Sequence, residues 1–109
     1  MNEANNNWKS LKEVEARVLL RLVRRDLVHK IHFIPINEKL LEVYVFYPTD
    51  KDIGEHAISG LTEKIKSIFS DELERAKRGE AYGEKVRYEF DSHENVLNKY
   101  EGNYFFRLR

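Results

Sequence analysis

Hydrophobic positions along this chain alternate between a spacing near 3.6 and a spacing of 2, and the changes of period mark its elements. The most apolar stretch is Leu40-Leu41-Glu42-Val43-Tyr44-Val45-Phe46-Tyr47, where every position except Glu42 is leucine, β-branched or aromatic. Such a run suits a central strand covered on both faces or nearly so. Pro48 ends it by removing a backbone donor. Upstream, Leu11, Val14, Val18, Leu22 and Val23 recur at helical spacing, with Leu19 and Leu27 widening the stripe, and Lys12, Arg17, Arg21, Arg24 and Arg25 lie opposite. Ser10 and Glu13 form an S-x-x-E capping box, so the spacing predicts a helix from Ser10 to about Asp26–Val28. Residues 1–7 show no periodicity and read as a disordered tail, leaving 8–109 as one domain.

His29 to Ile36 reads as a first strand, with Ile31 and Phe33 on one face and His32, Ile34 and Ile36 on the other. Pro35 suits an edge, and the short polar link Asn37-Glu38-Lys39 predicts an antiparallel hairpin with the central strand. Thr49, Asp50 and Asp52 offer N-caps for a second helix. Its stripe Ala57, Ile58, Leu61, Ile65, Ile68, Phe69, Leu73 continues to about Arg78, where Gly79 stops it. Val86, Tyr88 and Phe90 alternate with Lys85, Arg87 and Glu89 in a third strand, Glu84–Asp91, buried on one face only. Ser92 caps a short helix over His93–Lys99, Gly102-Asn103 turns the chain, and Tyr104–Leu108 reads as a last strand. The expectation is an α+β domain in the order α-β-β-α-β-β, with a mainly antiparallel four-stranded sheet packed against helices.

Composition narrows the function classes. The 109 residues carry 19 Lys plus Arg and 19 Asp plus Glu, and this balance argues against bulk electrostatic capture of nucleic acid. Without cysteine, disulfides, thiolate nucleophiles and cysteine metal sites are excluded. The polar N-terminus lacks the apolar core of a signal peptide, and no stretch reaches the roughly 20 apolar residues of a membrane span. These features predict a soluble cytoplasmic protein with no membrane partner.

Candidate chemistry is sparse. His29 and His32 lie three apart, a spacing that sends strand side chains to opposite faces, so no metal site is expected. His93-Glu94 are adjacent on a turn and would not converge as an acid–base pair. No phosphate-binding loop, dinucleotide glycine pattern, nucleophile elbow or zinc-protease motif occurs, so no catalytic residue and no cofactor is assigned. Arg17, Arg21, Arg24 and Arg25 offer a basic face for RNA, but without interleaved aromatics and with Glu13, Glu15 and Asp26 close by. Acidic groups gather at two places: Asp50, Asp52 and Glu55 past the central strand, and Asp91 and Glu94 past the third. If those strands run parallel, the five carboxylates share one end of the sheet and form a rim suited to a basic partner.

Two resemblances bear on function. The C-terminal segment Lys99-Tyr100-Glu101-Gly102-Asn103-Tyr104-Phe105-Phe106-Arg107-Leu108-Arg109 looks like the arginine-bearing strand of RelE/ParE-type ribonuclease toxins. No catalytic role passes to Arg107 or Arg109, which read as outward charges on an edge strand. Phe90-Asp91-Ser92-His93-Glu94-Asn95-Val96, with Gly102-Asn103-Tyr104-Phe105 after it, resembles the C-terminal halves of immunity proteins from bacterial polymorphic-toxin and contact-dependent growth-inhibition systems. That resemblance implies a non-enzymatic protein that binds a cognate toxin, often a nuclease, and occludes its active site. The alternatives are a small RNA-binding or RelE/ParE-like ribonuclease, and a homodimeric module joined through an edge strand or the first helix.

Overall fold

A computed structural model of the chain describes residues 3–22, 24–37, 39–76 and 85–109. Its elements are helix α1 (Glu3–Arg21), a 3-10 turn (Arg25–Leu27), strands β1 (Lys30–Pro35) and β2 (Leu40–Tyr47), and helices α2 (Asp50–Ser59) and α3 (Leu61–Arg75). Strand β3 (Lys85–Ser92), helix α4 (His93–Tyr100) and the single turn α5 (Tyr104–Arg107) complete the described chain. The α+β class and single compact domain match expectation, but among the described residues the sheet has three strands, not four, and is mixed. Its order is β1-β2-β3; β1 and β2 form the expected antiparallel hairpin, whereas β2 and β3 are parallel, Leu40 facing Lys85 and Tyr47 facing Ser92. The α2–α3 crossover supplies the long connection that a parallel pair requires.

Four further expectations change. Helix α1 begins at Glu3, so Ser10 sits inside it rather than at its cap, and residues 3–7 carry helical backbone. The expected second helix is two helices: Gly60 takes φ 88°, ending α2 in the left-handed conformation that glycine adopts without a Cβ clash. Helix α2 fully buries none of its residues: Ala57 and Ile58 of the expected stripe are exposed, Ile58 by 90%, and Ile53 packs half-buried against the core instead. The expected last strand is α5, because Asn103 caps it: the Asn103 side-chain oxygen accepts from the Phe106 N–H at 3.1 Å. The helix stop at Gly79 and the strand residue Glu84 lie outside the described residues.

The main core forms on one face of the sheet. Ile31 and Phe33 from β1 and Leu41, Val43, Val45 and Tyr47 from β2 pack against Leu11, Val14 and Val18 of α1 and Ile65, Ile68, Phe69 and Leu73 of α3. Arg21 donates to Asp71 at 2.6 Å and to the buried Glu72 at 2.8 Å, tying α1 to α3. Strand β2 is covered on both faces only toward its end, where consecutive Val45, Phe46 and Tyr47 are all buried. Before that its burial alternates. The second face is covered at that end by α4 and α5, and this unequal coverage positions the candidate site.

Candidate functional site

Parallel pairing brings the ends of β2 and β3 together, and with them the N-termini of α2 and α4. The five carboxylates expected as a rim therefore do share one end of the sheet, but most are engaged within the fold. The Asp52 side chain accepts from the Thr49 N–H at 3.0 Å while Thr49 Oγ1 accepts from the Asp52 N–H, a reciprocal capping box. Glu94 Oε1 accepts from the Asp50 N–H at 2.8 Å, and the Glu94 N–H donates to the Pro48 carbonyl at 3.1 Å. Ser92, fully buried, donates its hydroxyl to Asp50 and accepts from the Asn95 N–H at 2.9 Å, capping α4. Glu55 stands apart, exposed on α2, with Lys51 at 3.4 Å. Asp52 also faces His56 at 3.7 Å.

Asp91 departs furthest from a surface role. It is only 7% exposed and accepts from Arg107 Nε at 2.5 Å, from Asn95 Nδ2 at 3.0 and 3.1 Å, and from the Ser92 N–H at 2.8 Å. Arg107, expected as an outward charge on an edge strand, instead folds inward from α5. Its guanidinium lies 5.7 Å from the Tyr44 ring, 6.0 Å from Phe46 and 5.9 Å from Tyr100, with Glu89 at 3.8 Å. Burial pulls the Arg107 pKa down, but the hydrogen bond and charge of Asp91, with the charges of Tyr100 and Glu89, together make the net shift upward.

Beside this pair lies a histidine–tyrosine cluster that strand periodicity did not indicate. His29 precedes β1 rather than lying within it, so the opposite-face rule does not govern it. Its ring stacks on His93 at 3.9 Å; His93 Nδ1 lies 2.7 Å from the Tyr104 hydroxyl, and Lys30 Nζ sits 4.7 Å over the Tyr104 ring. The His32 ring is 5.5 Å from Tyr104. Burial, then the charges of His93 and Lys30, lowers the His29 pKa; burial, then Lys30 and Lys12, lowers that of His32. Burial, then the Asp91 charge, raises that of Tyr104. His93 and Glu94 diverge, one to Tyr104 and the other to Asp50. The imidazoles meet face to face, and among the described residues no group of three or more His, Asp or Glu could hold a metal.

An open depression of about 570 Å³ adjoins the cluster between α1 and the β1 edge, lined by Lys12, Glu15, Asp26, His29, Lys30 and His32 among others. Both signs of charge meet there, so it favours neither a simple anion nor a cation. The arginines expected on one basic helix face are divided and partly neutralised: Arg21, at the end of α1, is held by Asp71 and Glu72, and Arg24, beyond the helix, donates to both oxygens of Asp26 at 3.0 and 2.9 Å. Those hydrogen bonds raise the pKa of both arginines, and the Arg24 contact lowers that of Asp26.

What faces solvent is apolar as well as charged. Leu97 on α4 is 53% exposed, and Phe105 and Phe106 on α5 are 69% and 47% exposed. Arg109 lies 5.5 Å from the Phe105 ring. The fold and surface define a small α+β domain whose mixed sheet carries a helical cap at one end of its second face. Compared with known proteins, the chain matches no family model, no curated protein and no solved structure.

Proposed function

We propose that the chain is a non-catalytic protein-binding domain, acting as the immunity proteins it resembles act, by covering the active site of a cognate toxin. The observation that supports this reading is the surface of the α4–α5 cap, where Leu97, Phe105 and Phe106 present apolar side chains to water. Leu97 lies one helical turn from Glu94, so an apolar anchor and a carboxylate share a helix face. Aromatic anchors ringed by polar groups are the usual source of binding energy in protein interfaces. Asp50, Glu55 and Glu94 give the adjoining rim the negative charge that steers a basic partner. Ribonuclease or RNA-binding action draws less support, because Arg21, Arg24 and Arg107 are each held by carboxylates of the same chain.

The test is affinity capture from the native host, identification of the bound protein, and reconstitution from purified components. The expected result is a stoichiometric complex in which the partner's activity is blocked, with Phe105→Asp weakening binding by tenfold or more. A partner that stays fully active in the complex, or binding indifferent to Phe105→Asp and Glu55→Lys together, overturns the reading.

A further inference from the structure

Both outer strands of the sheet end in backbone, and the two edges differ. On β1, Pro35 removes a donor and blunts the edge. Strand β3 has no proline and, among the described residues, no strand beyond it. Its exposed positions read Lys85, Arg87, Glu89, positive first and then negative, while Val86, Tyr88 and Phe90 on the core side stay half-buried. Charges on an edge ordinarily discourage pairing. This order of charges discourages only some pairings.

We infer that β3 pairs antiparallel with β3 of a second copy, in the register that sets Tyr88 opposite its counterpart, and so makes a six-stranded sheet across a twofold axis. In that register the order of residues along β3 would set Arg87 opposite Glu89 of the other copy twice over, once on each side of the axis, and Val86 opposite Phe90. Directly opposed residues of an antiparallel pair point to the same face, so each contact joins like with like: opposite charges on one face, apolar groups on the other. Slipping by two residues one way puts Arg87 against Arg87 on the axis and leaves two Lys85–Glu89 pairs. Slipping the other way puts Glu89 against Glu89 and leaves Arg87 facing an Asp91 already held, so both lose to the register with no like pair. Parallel pairing stacks every charge on its own kind. The charge sequence thus selects one closed, isologous dimer and disfavours open stacking. Asp91 is already held by Arg107 and Asn95, so Lys85 opposite it adds little and the two Arg87–Glu89 pairs carry the selectivity.

Competing intramolecular contacts are weak. Arg87 reaches Glu42 at 3.2 Å with its own side chain 64% exposed, and Glu89 reaches Arg107 at 3.8 Å. Arg87 and Glu89 are the exposed members of these pairs, whereas the side chains of Glu42 and Arg107 are each 17% exposed. Glu42 keeps the Tyr44 hydroxyl and Arg107 keeps Asp91 when Arg87 and Glu89 turn outward, so neither is left unpartnered. The inference is independent of the partner-binding reading, since it concerns the purified chain alone.

Sedimentation velocity over a concentration series tests it with a charge swap. Wild type is expected to shift from monomer to dimer as concentration rises. Arg87→Glu and Glu89→Arg should each weaken self-association by about tenfold, because each converts two attractive pairs to repulsive ones. Mixed together, the two single variants should associate again. One chain then carries glutamate at both positions and the other arginine at both, so each contact across the axis joins opposite charges. The double variant R87E/E89R should likewise dimerise as wild type does. Circular dichroism of each variant establishes that it is folded, and recovery in the mixture cannot come from unfolded chains. A wild type that stays monomeric at the highest attainable concentration, or a mixture no more associated than its components, overturns the inference.

Discussion

Replacing Arg107 with methionine should be the most destabilising single change at the helical cap that leaves the hydrophobic core intact. Methionine keeps much of the apolar length that packs near Tyr44 and Phe46 but removes the charge opposite Asp91. The Asp91 side chain is 10% exposed and that of Arg107 17%, so water offers little compensation on either side. Breaking a buried pair by deleting one partner costs about 3–5 kcal/mol. Here Asn95 Nδ2 and the Ser92 N–H still donate to the carboxylate, which holds the loss near the lower end, at about 3 kcal/mol. For a domain of this size that corresponds to a melting temperature lower by about 12 °C.

The assay is urea unfolding followed by far-ultraviolet circular dichroism, in a double-mutant cycle with Asp91→Asn. Asparagine removes the charge while keeping the shape, so R107M in the D91N background should cost about 2 kcal/mol less than in wild type. An R107M loss below about 1 kcal/mol would show that the carboxylate is adequately solvated without its partner. A loss of the same size in both backgrounds would show that Arg107 acts by packing on the Tyr44 and Phe46 rings rather than through Asp91.

Other outcomes follow from single positions. Ser92→Ala removes both the α4 cap and the hydroxyl bonded to Asp50, and should lower stability by about 1–2 kcal/mol in the same urea assay. Gly60→Ala meets no atom within 4 Å, so its cost of about 1 kcal/mol comes from backbone conformation alone, and Gly60→Asn should recover part of it in thermal melts. Stability should fall as pH drops below about 6.5, because folding depresses the pKa of His29 and His32 and the unfolded chain binds protons first. The contribution is fully present above that pH and is lost as pH falls toward the folded-state pKa values. His29→Gln with His32→Gln should flatten the urea midpoint between pH 7.5 and 5.5, and an unchanged slope would refute the assignment. Val43→Asp, at a position with no exposure, should leave no cooperative unfolding transition by circular dichroism.

Local pattern sufficed wherever one period ran uninterrupted. The hairpin of β1 with β2, the alternation of Val86, Tyr88 and Phe90, and the Ser92 cap of α4 all follow from neighbours within a few residues. Gly60 was visible in the sequence, but the apolar spacing continues across it from Ile58 to Leu61, and periodicity does not report a change of helix axis. Tyr104-Phe105-Phe106 misleads for a physical reason: aromatic residues favour strands on average, yet here an Asn103 cap and the anchoring of Arg107 and Tyr104 outweigh that preference. The carboxylates of the rim were legible as a conditional statement, because their meeting depends on strand direction, which nothing local encodes. The meeting of His32 and His93 on Tyr104, with His29 stacked on His93, was not legible at all, since it joins the start of one strand to helices far along the chain.

The parallel direction of β3 also settles what kind of group the rim carboxylates are. It sets the N-termini of α2 and α4 side by side, each with unsatisfied amides and a partial positive charge. Left bare, those ends would repel each other and strand their donors. Asp52, Glu94 and Ser92 accept from backbone amides there, and Asp50 accepts from the Ser92 hydroxyl, so the acidity at this end is engaged by the fold before any partner arrives. Asp91 goes further inward, as the carboxylate that holds Arg107 and with it the turn carrying Phe105 and Phe106. Changing Asp50 or Asp91 therefore alters the cap together with any surface it presents, and lost binding in those variants would not separate the two. Glu55 pairs with Lys51 on its own helix, and Phe105 is largely exposed, so these two positions report on recognition without loosening the structure. An interface at this end of the sheet must reveal itself at Glu55 and Phe105 while the urea midpoint stays where it is in the wild type.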